Sequence, residues 1–272
     1  MDDDIREKIL KDLKKSGYPL EIETTFSLES ADWLVYNQAG YLDPHENKWR
    51  PIDIVAYKSL EALESPVYKK IHLSVFIECK KSKNPWLFYI REKKRMRTFD
   101  SIVAYGLIKQ VSSPMLHPLN LENLTHYLHY YKFKKVAVIP FEPFRGGKST
   151  EIFKAVNQVI KSLYFEFEER TSRWIKTSSF KEILSLLYPV IVLDGELYGI
   201  WGKEKLFPQK YLQYIVSYST PKRREDFLID VVKADFLTEY LKIIDKELED
   251  LKENIKLLKP SSDQRPPISR SP

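Results

Sequence analysis

Apolar residues recur at Ile5, Ile9, Leu10 and Leu13 within residues 4–15, a helical spacing that Gly17 brings to a stop. The pattern then changes. Segments 21–28, 32–42, 49–58 and 71–80 are rich in β-branched and aromatic residues set among polar ones, which predicts four strands. The run Asp43-Pro44-His45-Glu46-Asn47 is a turn, so 33–42 and 49–57 are expected to pair as a hairpin. Further on, 121–132 and 150–170 read as helices, 135–140, 190–193 and 211–218 as strands, and 226–258 as largely helical. Early strands meander and later ones are separated by helices. The fold class expected is α/β, with a mixed central sheet flanked by helices and a long C-terminal helix.

Within the last helix, Leu237, Leu241, Ile244, Leu248, Leu251, Ile255 and Leu258 alternate spacings of four and three, a heptad seam. Such a seam either packs on its own domain or joins two copies as a homodimer, and the pattern leaves both open. Segment 259–272 has four prolines and a single large apolar residue, a composition expected to be disordered. The organisation expected is a main domain over 1–220, an amphipathic helix over 221–258 and a tail over 259–272.

Composition narrows the possibilities. Hydrophobic residues make up 43% of 272, enough to bury a substantial core. Cys79 is the one cysteine, so neither an internal disulfide nor a cysteine-based zinc cluster can form. The longest apolar stretch, 186–193, is far short of a membrane span, and Met1-Asp2-Asp3-Asp4 has the wrong sign for a signal peptide. A cytoplasmic protein without membrane contact is the expectation.

Two strands carry charges that a plain core strand would not. Asp53 interrupts Trp49-Arg50-Pro51-Ile52-Asp53-Ile54-Val55-Ala56, and Glu78 and Lys80 end Leu73-Ser74-Val75-Phe76-Ile77-Glu78-Cys79-Lys80. Side chains alternate along a strand, so Glu78 and Lys80 share one face while Cys79 turns to the other with Ile77 and Val75. Asp53 is expected to face away from Ile52 and Ile54. If the strands pair, Asp53, Glu78 and Lys80 meet at one end of the sheet. Two carboxylates suit a hard divalent cation, and a nearby lysine can orient water or stabilise charge on an attacked phosphate. An acidic-x-Lys tripeptide occurs five times in the chain, at 12–14, 46–48, 78–80, 92–94 and 250–252. Only 78–80 ends an apolar strand and follows a strand bearing a lone aspartate.

With Pro51-Ile52-Asp53 on one strand and Glu78-Cys79-Lys80 on the next, the sequence resembles the PD-(D/E)XK, or restriction-endonuclease-like, nuclease superfamily. Pro and Asp are separated here by Ile52. The resemblance covers roughly residues 4–195 and implies a restriction-endonuclease-like mixed central sheet in the 1–220 domain. It also implies Mg²⁺ or Mn²⁺ dependence and hydrolysis of nucleic acid, with DNA expected before RNA. Carried over residue by residue, Asp53 and Glu78 are metal ligands, the backbone carbonyl of Cys79 is a further ligand, and Lys80 is the catalytic lysine. Glu7, on the first helix, is the candidate for an additional acidic ligand. The alternative is a catalytically inactive nucleic-acid-binding or assembly protein on the same fold.

Net charge, +6 overall, gains meaning from its position. Residues 80–97 hold eight basic residues against Glu92 alone, a net of +7, so the remainder of the chain sums to −1. Lys81, Lys83, Arg91, Lys93, Lys94, Arg95 and Arg97 are therefore candidate nucleic-acid contacts, with Trp86, Phe88 and Tyr89 interleaved. The competing reading is a solvated basic loop beside a buried aromatic strand over 86–90. Two weaker motifs remain. Arg145-Gly146-Gly147-Lys148-Ser149-Thr150 resembles part of a P-loop and would suit a nucleotide hydrolase built around Lys148, but Glu142 stands where a glycine is required. His126 and His129 lie three apart on an expected helix, a spacing able to hold a transition metal.

Overall fold

The computed structural model describes residues 3–93, 111–112, 124, 126–144, 150–176, 183–202, 205–219 and 224–258. Two helices open the chain, α1 (Asp3–Lys15) and α2 (Tyr18–Glu29), followed by strands β1 (Leu34–Leu42), β2 (Trp49–Glu61), β3 (Lys70–Lys81) and β4 (Trp86–Glu92). A short β5 (Val111–Ser112) and a one-turn helix α3 (His129–Lys132) precede β6 (Lys135–Phe141) and the long α4 (Thr150–Lys176). Then come β7 (Ile183–Asp194), β8 (Leu197–Trp201), β9 (Lys205–Pro208), β10 (Tyr211–Ser219), β11 (Arg224–Lys233) and the last helix, α5 (Leu237–Ile255).

All strands belong to one mixed sheet in the order β1-β2-β3-β7-β11-β10-β6-β4-β8-β9, with β5 paired on β7. The β1-β2-β3 meander is antiparallel, as its turn chemistry requires. β7 then lies parallel to β3 along its full length, Lys70 opposite Ile183 through Lys81 opposite Asp194, and β11 lies parallel to β7. Both faces of the central strands are covered, so β7 is buried from Leu184 to Leu193 and reads as a continuous apolar run. One core cluster joins Leu20 and Leu28 of α2 and Leu241, Ile244 and Leu248 of α5 to Ile54, Val75, Ile77, Val190 and Val192. The other packs Ile152, Val156, Val159 and Leu163 of α4 against Ile52, Val55, Phe76, Ile191 and Val231. α2 and α5 therefore cover one face of the sheet and α4 the other.

The mixed α/β class, the 43–47 hairpin and the two charge-bearing strands match expectation. Other elements do not. Segment 21–28 is the body of helix α2, not a strand. Its buried residues, Leu20, Thr24 and Leu28, recur every fourth position, and Pro19 sits in the first turn where its missing N–H costs nothing. The β-branched and aromatic content of the segment masked that spacing. The first part of 226–258 is strand β11, with Phe227, Ile229 and Val231 in one core cluster and Leu228 and Val232 in the other. It hydrogen-bonds to both β10 and β7, so residues after 220 complete the central sheet. The heptad seam of α5 is consumed by its own core, with Leu241, Ile244, Leu248, Leu251 and Ile255 all buried against the sheet. α1 forms as expected, but none of its residues is buried. The helix expected over 121–132 is helical at His129–Lys132, the single turn α3, while 126–128 form a turn and bend; residues 121–123 and 125, and the 259–272 tail, lie outside the described residues. Among the described residues no helix is long and apolar enough to cross a membrane.

Candidate active site

The β1–β2 and β2–β3 ladders both change character at one point. Asn37 pairs with Ile54 and Ala39 with Ile52, but Gln38 and Asp53 between them make no pair. The β2–β3 ladder runs from Glu61↔Lys70 only as far as Ile54↔Ile77. Beyond that pair β3 continues on β7 alone, and Asp53 supplies the missing bond: its Oδ2 accepts the Cys79 backbone N–H at 2.8 Å. Ile52 and Ile54 consequently fall in different core clusters, so strict alternation, and with it the expectation that Asp53 opposes both, fails at Asp53.

Glu78 and Lys80 project together from β3, and the Lys80 ammonium donates to Glu78 Oε1. Cys79 sits among Val75 and Ile77 in the core, its thiol against Thr24 Oγ1 of α2. Burial and the neighbouring carboxylates push that thiol up, away from a nucleophilic thiolate. The Cys79 N–H points toward β2, and in an extended strand the carbonyl of the same residue leaves on the same side. That carbonyl therefore faces the gap that Asp53 spans.

Glu7 is exposed on α1. The third carboxylate is Glu21, in the first turn of α2: its charge acts on Glu78, and it is itself raised in part by Asp53. Reading 21–28 as a strand hid it. The spacing of Leu20, Thr24 and Leu28, with Pro19 ahead, was the signal that would have put Glu21 on a helix facing the sheet. Gln38 Nε2 donates to Glu21 Oε2 at 2.9 Å.

Burial, and for Glu78 and Glu21 the neighbouring carboxylates, raise the proton affinity of these groups. Burial, then the charge of Asp53, pushes the Glu78 carboxyl up to about 7, with Lys80 opposing and Glu21 adding to the rise. Burial raises Asp53 despite its bond from Cys79, and burial followed by Asp53 raises Glu21. The Oε2 of Glu78 is buried and accepts no hydrogen bond. A neutral acid or a bound cation would each relieve that arrangement.

No family model, curated protein or solved structure matches this chain. The reading of the site therefore rests on its own geometry.

The basic segment divides. Lys81, Lys83 and Arg91 are exposed, with Lys81 also donating to the Lys14 carbonyl at 3.1 Å. Lys93 is buried: its ammonium donates to Gln213 Oε1 at 2.6 Å and to the Tyr130 carbonyl, and burial lowers its pKa to about 7 although Asp230 opposes this. It is withdrawn from any phosphate surface. Trp86 and Phe88 are core residues and offer no stacking platform, whereas Tyr89 is half-buried. Lys94, Arg95 and Arg97 lie outside the described residues, as does Lys148.

Two other motifs resolve as structure. Glu142 Oε1 accepts the backbone N–H groups of Glu151 at 2.8 Å and Ile152 at 2.9 Å, so the N-terminus of α4 is already capped by the protein's own carboxylate. His129 is buried between two carboxylates, Nδ1 lying 2.7 Å from Glu247 Oε2 and Nε2 2.8 Å from Asp230 Oδ2. Both ring nitrogens are occupied, which removes the metal reading of His126 and His129. Among the described residues no group of three His, Cys, Asp or Glu side chains is arranged to hold a metal ion.

Proposed function

We propose that this chain is a divalent-cation-dependent nuclease with a restriction-endonuclease-like sheet, acting on DNA in preference to RNA. The observation that supports it is the convergence of Asp53, Glu78, Lys80 and Glu21 where β2 parts from β3. Two carboxylates, Asp53 and Glu78, the latter with a buried oxygen that has no partner, and a backbone carbonyl turned to the same gap form an all-oxygen donor set, with Glu21 near enough for its charge to raise Glu78. That set fits Mg²⁺ or Mn²⁺. Asp53, Glu78 and the Cys79 carbonyl would hold the ion, with Glu21 replacing Glu7 as the additional acidic group. Bound there, such an ion supplies Lewis acidity toward a phosphate oxygen and lowers the pKa of bound water.

The chain's own groups have distinct tasks in this reading. Asp53 fixes the open end of β3 through Cys79 and so sets the separation of the carboxylates. Glu78 is poised at a pKa of about 7, between proton acceptor and ligand. Lys80, now bonded to Glu78, is the cation that can turn to the scissile phosphate and offset charge as water adds to phosphorus and the bond to the leaving oxygen breaks. Exposed Lys81, Lys83 and Arg91 follow along the same segment and suit contact with the phosphate backbone.

The test is incubation with single- and double-stranded DNA and RNA in Mg²⁺, Mn²⁺ or EDTA. Metal-dependent cleavage that falls at least a hundredfold in Asp53→Ala and Lys80→Ala is expected. Cleavage indifferent to both substitutions would overturn the site. The Lys80–Glu78 ion pair, which engages one carboxylate, favours a second reading: a binding or assembly protein without catalysis. It predicts salt-dependent DNA affinity with no heat of Mn²⁺ binding.

A further inference from the structure

Gln38 adopts a left-handed backbone, φ 52°, in the middle of strand β1. Of the other non-glycine residues with positive φ among the described ones, Asp32 and Asn47 are of types that tolerate this conformation and stand in turns, and Phe144 also stands in a turn. Gln38 alone holds it inside a regular element. For an L residue without a local side-chain bond this conformation is unfavourable by about 1 kcal/mol or more. Glycine would be the cheaper residue there for the fold alone.

The left-handed turn has a defined geometric effect. On a regular strand, consecutive side chains point to opposite faces. Here Asn37 and Gln38 both reach α2: the Asn37 amide lies 3.2 Å from Thr25 Oγ1, and Gln38 Nε2 donates to Glu21 Oε2 at 2.9 Å. Thr25 and Glu21 are four apart, one helical turn, so the two strand residues hold two successive rungs of one helix face. The same twist takes Gln38 and Asp53 out of the ladder together. The break therefore does two things at once: it frees Asp53 to reach Cys79, and it turns an amide donor onto Glu21, the carboxylate that feels the charge of Asp53.

We infer that Gln38 is a positioning residue that holds the Glu21 carboxylate toward Asp53 and Glu78, its strained backbone being retained for that purpose. The inference rests on the reading of these carboxylates as a divalent-cation site. Gln38 touches neither substrate nor reacting atoms; it acts through Glu21.

The test compares wild type with Gln38→Gly, Gln38→Asn, Glu21→Gln and the double variant Gln38→Gly/Glu21→Gln. Thermal melting without metal, Mn²⁺ calorimetry and cleavage kinetics are measured on the full chain. Gln38→Gly is expected to melt at or above the wild-type temperature, because glycine relieves the backbone, yet to bind Mn²⁺ about tenfold more weakly. In cleavage, kcat should fall while KM for DNA stays, and the metal concentration at half-maximal rate should rise. Gln38→Asn, which tolerates the backbone and keeps an amide, should recover part of the affinity. The double variant should be no weaker than Glu21→Gln alone. A Gln38→Gly protein that binds Mn²⁺ and cleaves like wild type overturns this inference and leaves the nuclease reading standing. A Gln38→Gly protein that melts lower, with affinity lost only in proportion, overturns it in favour of a plain structural role. A well-folded wild type that neither binds Mn²⁺ nor cleaves overturns both.

Discussion

Asp53 Oδ2 accepts the backbone N–H of Cys79 at 2.8 Å, just beyond the last β2–β3 pair at Ile54 and Ile77. A side chain here completes what a strand carbonyl does elsewhere in the sheet. The bond ties a charged residue of β2 to the backbone directly between Glu78 and Lys80, so the position of both follows from it. Asp53→Ala leaves a part-buried N–H without its acceptor, which costs about 1–3 kcal/mol. Asp53→Asn keeps an acceptor oxygen and should stay within about 1 kcal/mol of wild type. If Asp53 acts through its charge, both variants lose metal-dependent cleavage, while only the alanine variant melts appreciably lower. Chemical denaturation and a cleavage assay on the same samples separate the two roles.

Glu78 makes stability depend on pH in a definite direction. Its carboxyl is raised from 4.5 to about 7 in the folded protein, first by burial and then by Asp53. Below about 4.5 both folded and unfolded states hold the proton and the contribution is fully present. Between about 4.5 and 7 the unfolded chain releases the proton more readily, so stability is lost as pH rises. The loss is on the order of 3 kcal/mol when complete. Metal-free protein should therefore melt progressively lower across this window, and Glu78→Gln should flatten the curve and melt higher than wild type above pH 7. Saturating Mn²⁺ should remove most of the difference. A wild-type curve that is flat from pH 4.5 to 7 would show that Glu78 is not the buried acid described here.

The extent to which this could be read from the sequence divides along physical lines. The hairpin around Asp43 and the strands bearing Asp53 and Glu78 were legible because turn chemistry and alternation are local signals. Asp43 even completes its turn through its own carboxylate, with Oδ1 accepting the His45 N–H at 2.8 Å. Helix α2 reads as a strand because Thr24, Thr25 and Phe26 favour one, although the hydroxyl of Thr25 is absorbed by the Glu21 carbonyl at 2.9 Å. β11 hides within a segment that reads as helical, with Asp230 interrupting its apolar residues; that aspartate is buried, and Tyr211 and Tyr240 donate to it at 2.8 and 2.7 Å. The partners that make Asp230 tolerable come from β10 and α5, and no local window contains them. Lys93 is similar: a lysine in a basic run reads as solvated until Gln213, far along the chain, is seen bonded to it.

Lys93 and its exposed neighbours should behave in opposite ways toward nucleic acid. If the 80–97 segment contacts phosphates, Lys83→Ala and Arg91→Ala each lower the slope of log affinity against log salt by about 1, with stability unchanged. Lys93→Ala should leave that slope where it is and destabilise the fold by about 1–3 kcal/mol, because Gln213 and the Tyr130 carbonyl lose a buried donor. Fluorescence anisotropy across a salt series, with melting of each variant, reads both quantities. A change of slope in Lys93→Ala equal to that in Lys83→Ala would place Lys93 at the surface and contradict its burial.

The His129 cluster sets a second pH window, on the other side of neutrality. Burial alone would lower the pKa of His129, but Asp230 and Glu247, each hydrogen-bonded to the ring, raise it to about 10. The imidazolium joins β11 to α5, while the Tyr188 hydroxyl donates to Glu247 and that of Tyr240 to Asp230. Every partner sits in the sheet-to-α5 core, so the cluster ties the last helix to the sheet. Removing the histidine strands two buried carboxylates, and His129→Ala should cost about 3–5 kcal/mol. Because the folded pKa is raised, the contribution is fully present below about 6.5 and is lost as pH rises through about 10. Lys93, lowered to about 7, works in the opposite sense and gains stability from about 7 to 10.5, which would mask the effect in wild type. The comparison is therefore made in a Lys93→Met background, where that gain is absent. There, stability should fall from pH 6.5 to 10 with His129 in place, and His129→Gln should lower the starting stability and remove the slope. If both Lys93→Met proteins showed the same slope across that range, His129 would not be the charged centre of this cluster.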